Sequence, residues 1–340
     1  MTLFIFLEGI ASTMITAGKL LSRVSREKIY TQYDSELGWI ALPNLYYEDM
    51  YGDGIFLRTN AQNFRHSDAA QKNIPDGKVR IICSGDSMTF GHGVDNDHTW
   101  CNLLAKKNDK LETLNLGQNG YGIGQSFLLY NRVQAELNHQ IHVFAFITDD
   151  FYRAGVDSFL GYPKPMLVLR DGNLIADNMP VPQRLFNNRY LIVAAEALTE
   201  LRLVHLTRRL FGTTAKSLPR PVSNEIDVVQ TRKVVIKVFQ ELQQISEINR
   251  RQIALVYLPA GEWDYRSQDP LTEAWRNFLE SEASNRGWLY LDLIADFNRL
   301  EAESVNDLFD GHYTVSGNEY IAERLYERLM AVPKIAELAN

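Results

Sequence analysis

From Val79 onward the chain repeats one pattern: a short run of strand length, largely apolar, a polar turn, and a stretch with apolar residues at helical spacing. The runs are Val79 to Cys83, Glu112 to Leu116, His142 to Ile147, Ile253 to Leu258 and Trp288 to Leu293. Short apolar strands alternating with helices predict a parallel sheet covered on both faces. Helices are expected over Thr99 to Lys107, Gln125 to Leu137 and Ile226 to Asn249. Another opens at Asp269-Pro270, where aspartate caps and proline fits the first turn. The last starts at Ser316, with Glu319 three residues on as a capping box. The expected fold is α/β, a doubly wound parallel sheet of about five strands with helices on both faces.

Two segments break the pattern. Residues 151–225 are inserted between the third and fourth runs, and Met166 to Leu169 and Leu174 to Ala176 flank Asp171-Gly172 as a hairpin. A helical piece, Arg189 to Leu210, comes next, and the whole insertion reads as a cap over the sheet edge. Residues 28–78 look irregular, a lead-in closed by the polar linker Gln71 to Lys78, so the α/β domain is expected over 79–335. Within residues 1–27, the mostly apolar stretch Leu3 to Leu21 is interrupted by Glu8 and Lys19. It predicts a hydrophobic or amphipathic helix that either spans a membrane or lies on its surface. The basic residues after it (Arg23, Arg26, Lys28) favour a cytoplasmic side for the α/β domain. Localisation stays open between membrane or envelope association through residues 3–21 and the cytoplasm.

At 340 residues the chain can bury a large core. A formal charge of -7 with no basic stripe argues against nucleic acid as a partner. Cys83 and Cys101 are too few for a disulfide framework or zinc site and are expected as two small buried hydrophobes. No histidine and carboxylate cluster has ligand spacing, so neither metal nor cofactor is expected.

Gly85-Asp86-Ser87 directly succeeds the first run, where a tight turn can hold a hydroxyl above a sheet. Asp310-Gly311-His312 sits just before the last helix. Together they supply a nucleophile, a base and an orienting carboxylate, a candidate catalytic triad of Ser87, His312 and Asp310. Alone, each segment is also an ordinary turn. Gly120, after the second run, could aim its amide at an oxyanion. The glycines at 117, 120, 122 and 124 raise a dinucleotide site as the competing idea, but their spacing is not Gly-x-Gly-x-x-Gly and they come after the second strand.

Taken together, Gly85-Asp86-Ser87-Met88-Thr89, Asn115 to Gly122, and Asp310-Gly311-His312 continued by Ser316-Gly317 resemble the SGNH (GDSL-type) hydrolases. These are serine esterases and acyl transferases on a flavodoxin-like sheet, and the resemblance covers roughly residues 79–330. Leu37-Gly38-Trp39 and Asn63-Phe64-Arg65 are similar to a lead-in of envelope-associated members. The resemblance implies Ser87 as nucleophile, His312 as base, Asp310 as its orienter, and the Ser87 and Gly120 amides as oxyanion donors. One block departs: where the family presents Gly-Asn-Asp, this chain has Thr148-Asp149-Asp150. An ionised Asp149 would repel the developing charge, and losing such a donor costs about 2.7–4 kcal/mol. Either Asp149 is protonated by burial beside Asp150, or it points away and leaves Thr148 or the backbone to donate, or the cleft only binds. The expected activity is hydrolysis of a short O-acyl ester, by analogy an acetyl group on a carbohydrate or other small molecule. Transfer to a sugar hydroxyl and a non-catalytic binding or scaffold role are the alternatives.

Overall fold

The computed structural model describes residues 30–160, 162–183, 227–261, 264 and 270–339. The expected helix within residues 3–21, the helical piece from 189 to 210 and the Asp269 cap lie outside the described residues. No helix among the described residues is long and apolar enough to cross a membrane.

The lead-in is not irregular. It forms two hairpins, β1 (Thr31–Asp34) with β2 (Gly38–Ala41) and β3 (Tyr46–Tyr47) with β4 (Leu57–Arg58). Leu37, Ile40 and Phe64 bury themselves in the same core as the sheet. Polar ties add to this: Gln118 Oε1 accepts from the Ala41 amide at 2.9 Å, and the Arg65 amide reaches the Asn115 carbonyl at 3.2 Å.

Next come β5 (Val79–Ser84), α1 (Ser87–Phe90), α2 (Trp100–Lys106), β6 (Leu111–Asn115), α3 (Ile123–Val133), β7 (Ile141–Phe146) and α4 (Thr148–Ala154). The insertion contributes the hairpin β8 (Ser158–Phe159) with β9 (Tyr162–Pro163). It also contributes β10 (Met166–Arg170) with β11 (Asn173–Asp177), the expected pair about Asp171-Gly172. The chain then runs through α5 (Val228–Asn249), β12 (Gln252–Tyr257), α6 (Pro270–Arg286) and β13 (Leu289–Asp292). It closes with α7 (Leu293–Phe297), α8 (Ala302–Asn306), the hairpin β14 (Phe309–Asp310) with β15 (His312–Tyr313), α9 (Val315–Met330) and α10 (Pro333–Ala339).

Five strands form one parallel sheet in the order β13-β12-β7-β5-β6. Every residue of β5 and β7 is buried, as their largely apolar runs require. The exception in character, Arg80, is neutralised by Glu112 at 2.7 Å and donates to the carbonyls of Gln71 and Asn138. Helices cover both faces, with α2 against α9 and α3 against α5. Along α5 the buried positions Thr231, Val234, Val235, Val238, Phe239 and Leu242 make a single stripe at helical spacing. This is the doubly wound fold the sequence predicts, and the order reverses between β5 and β7. Open sheets of this kind bind ligands beyond the carboxyl ends of the strands at that reversal.

Two local expectations change. Cys83, in β5, and Cys101, in α2, are both fully buried but are joined as a disulfide, with Cα atoms 6.4 Å apart. The pairing arises because α2 folds back toward β5, bringing together two cysteines 18 residues apart in the chain. The last helix is capped by Thr314, whose hydroxyl accepts from the Gly317 amide at 3.1 Å, rather than by a Ser316 and Glu319 box.

Candidate active site

Ser87 is the first residue of α1, three residues past the end of β5. Gly85 allows this approach, because a Cβ there would collide with the Thr89 side chain and the Ala145 carbonyl. A four-residue helix has no stability of its own, so its carbonyls are held from outside. Asn115 Nδ2 donates to the Thr89 carbonyl at 2.7 Å, and Trp100 Nε1 to that of Met88 at 3.0 Å. Arg65 donates to the carbonyls of Phe90, Gly91 and Val94. Asp86 caps the N-terminus by accepting from the Met88 amide at 2.9 Å.

Fixed in this way, the Ser87 hydroxyl lies 2.9 Å from Nε2 of His312, although the two are 225 residues apart in the chain. Both are partly buried, so the pair is enclosed but reachable. His312 stands on the two-residue hairpin after α8, where it faces Asp310 in register across Gly311. Opposed residues of a hairpin share a face. Asp310 is exposed, and among the described residues no hydrogen bond joins its carboxylate to His312.

Gly120 takes the left-handed conformation, φ +76°, that glycine adopts at least cost. Among the described residues, neither its amide nor that of Ser87 donates a hydrogen bond. A Cβ at Gly120 would stand 3.0 Å from the Phe159 ring and 3.5 Å from Trp39, so the cap and the lead-in meet over this turn. Trp39 Nε1 donates to the Asn119 carbonyl at 2.8 Å and its ring lies edge-on to Tyr162, 6.2 Å between centroids.

Thr148 cannot be an oxyanion donor. Its one hydroxyl proton goes to Oδ1 of Asp264 at 2.6 Å, and its oxygen also meets the Tyr257 hydroxyl at 2.9 Å. Asp149 is only partly buried, in the first turn of α4. Burial falls on Asp150 instead. Asp150 and Asp86 are both fully buried and share one guanidinium, Arg153, at 2.9 and 3.3 Å. One cation facing two acids favours retaining a proton on one of them. Burial and then the Asp86 charge push the Asp150 carboxyl well above the usual range, outweighing Arg153 and the Ile147 amide that donates to it at 3.1 Å. Burial raises Asp86 as well, while the carboxylates hold the Arg153 guanidinium more firmly protonated.

This cluster yields a prediction. A carboxyl whose folded value is raised stabilises the fold below the ordinary carboxylate range and loses that contribution as pH rises through the raised value. Wild type should therefore lose stability relative to Asp150→Asn between pH 5 and pH 8, by at most about 1.4 kcal/mol per pH unit. Urea denaturation of the two proteins at both pH values checks it. A difference independent of pH would mean that Asp150 is ionised throughout.

Sequence reasoning missed Arg153, Arg65 as a clamp, and His92, whose ring lies against that of His312 with centroids 4.6 Å apart. The one available signal was position: His92 falls five residues after Ser87, in the same turn.

No protein-family model matches the chain, and no curated protein matches it. Among solved structures it is similar to a member of the lipolytic protein G-D-S-L family from Veillonella parvula DSM 2008. That match has 13% identity and a TM-score of 0.43, covering 73% of this chain and 97% of that one. It is also similar to the acetyl xylan esterase AlAXEase, at 16% identity and a TM-score of 0.43 over 75% of this chain and 100% of that one. The lipase/acylhydrolase from Enterococcus faecalis matches at 11% identity and a TM-score of 0.41, over 74% of this chain and 96% of that one. Similarities at this level carry no argument about chemistry. What Ser87 can do rests on its geometry.

Proposed function

We propose that the chain is a serine-dependent O-acyl esterase of the SGNH type. The observation that carries this reading is the 2.9 Å contact between Ser87 Oγ and His312 Nε2 at the sheet's reversal point. In the reaction, Oγ attacks the acyl carbonyl as its proton passes to Nε2. The carbonyl oxygen becomes an oxyanion facing the uncommitted amides of Ser87 and Gly120. His312 then returns the proton to the departing alkoxide, leaving an acyl group on Ser87. Water repeats the sequence, releasing the carboxylic acid and restoring the hydroxyl. Asp310 would orient the imidazole by swinging its exposed carboxylate toward Nδ1 on the shared face of the hairpin.

A short acyl group, acetyl in the simplest case, suits the site because Phe159 and Trp39 stand directly against Gly120. Phe159→Ala should shift preference toward longer esters, about tenfold in the butyrate-to-acetate ratio of kcat/KM, given ~1–3 kcal/mol for each methylene accommodated. An unchanged ratio of p-nitrophenyl acetate to butyrate turnover would show that Phe159 does not border the acyl site. The partly exposed rings of Trp39 and Tyr162 offer aromatic surface for the alcohol side, which favours a carbohydrate ester. The same surface would serve an acceptor sugar, so acyl transfer is the second reading. An organised Ser–His pair argues against a cleft retained only for binding.

The direct test is active-site labelling. A fluorophosphonate should attach to Ser87, as mapped by peptide mass spectrometry. A protein that takes up no label, or takes it up at another residue, would overturn the proposal.

A further inference from the structure

His92 touches both members of the Ser87–His312 pair. Its backbone N–H donates to the Ser87 carbonyl at 3.1 Å, and its ring lies on that of His312 with an interplanar angle of 38°. Tyr51, from the loop between β3 and β4, meets the His92 ring edge to face at 4.9 Å. Nδ1 of His92 lies 3.2 Å from Nδ2 of Asn119, which also contacts the Tyr30 hydroxyl.

We propose that His92 is a positioning residue for the acyl-transfer reaction: its ring holds the His312 imidazole against Ser87 and stabilises the positive charge that forms there. The inference rests on the reading of Ser87 and His312 as nucleophile and base. As Ser87 gives up its proton, His312 becomes an imidazolium. Asp310, exposed to solvent, offers that cation a screened charge. A neutral aromatic ring within about 6 Å of a cation attracts it through its π face, an interaction strengthened where water is excluded.

The test measures the rate of fluorophosphonate labelling at Ser87 from pH 5 to 9 in wild type, His92→Ala, His92→Leu and His92→Phe. His92→Ala should label 10- to 100-fold more slowly at pH 7, the scale of a misplaced reacting group. His92→Phe, which keeps a stacked ring, should stay within about threefold of wild type. His92→Leu, which fills the space without a π face, should label more slowly than His92→Phe. Equal labelling of wild type and His92→Ala overturns the inference, as does equal labelling of His92→Leu and His92→Phe. That second comparison decides alone if the alanine variant does not fold. Failure of the underlying reading looks different: wild type then takes up no label, or Ser87→Ala labels as wild type does, and the inference falls with it.

Discussion

Replacing Ser87 with alanine is expected to abolish ester hydrolysis, with kcat falling by a factor on the order of 10⁴–10⁶. Removing the hydroxyl removes the atom that would carry the acyl group, and His312 alone can only assist water. A smaller residual rate would come from the amides of Ser87 and Gly120, which the substitution leaves in place. Stability should change little, within about 1 kcal/mol. The short helix that bears Ser87 is anchored through its carbonyls by Asn115, Trp100 and Arg65, not through the serine side chain. The two outcomes separate a catalytic contact from a structural one. If the Ser87–His312 hydrogen bond merely tied the β14–β15 hairpin to the sheet, the alanine variant would unfold earlier and hydrolyse p-nitrophenyl acetate at the wild-type rate. Thermal unfolding and turnover measured on the same preparation decide between them.

How far the sequence led depended on whether a feature carries a period. The core strands were legible because buried strands such as β5 and β7 leave short, largely apolar runs, and those ends fell within a residue or so of Val79–Ser84 and Ile141–Phe146. The site's placement came with them, since Ser87, Gly120 and His312 all lie beyond the carboxyl rim. The lead-in hairpins were not legible: strands of two to four residues such as Tyr46–Tyr47 are too short to show alternation. The Cys83–Cys101 pairing depends on how α2 lies over β5, and composition says nothing about that. Asp150 and Arg153 looked like an ordinary charged turn of a helix. Only the fold reveals that both are buried against Asp86, immediately before Ser87. Asp149 drew attention in the sequence, yet the heavier electrostatic burden is carried by the residue next to it.

Arg65→Met is expected to cost about 3 kcal/mol or more of stability, and the reason lies in what the guanidinium holds. Arg65 is fully buried. It donates to the carbonyls of Phe90, Gly91 and Val94 and to Oδ1 of Asn96 at 3.2 Å. Methionine fills much of the volume but donates nothing, leaving three carbonyls and an amide oxygen without this donor. Each buried polar group so stranded costs about 1–3 kcal/mol. Relief from burying a lone guanidinium offsets part of this, which is why the net value sits toward the low end of the sum. Lysine would not restore it, because one ammonium cannot reproduce a planar fork that serves several acceptors at once. The loss should also reach the chemistry. The segment clamped by Arg65 runs from the end of α1 through His92, so a loosened clamp lets the His92 ring drift from His312 while the hydroxyl of Ser87 remains. Denaturant unfolding of Arg65→Met and Arg65→Lys should show both destabilised, and labelling of the folded fraction should be slowed in both. Wild-type stability in Arg65→Met would mean that the segment from Phe90 to Asn96 holds its shape unaided. In that case the lead-in would be an ornament on the sheet and not the wall of its site.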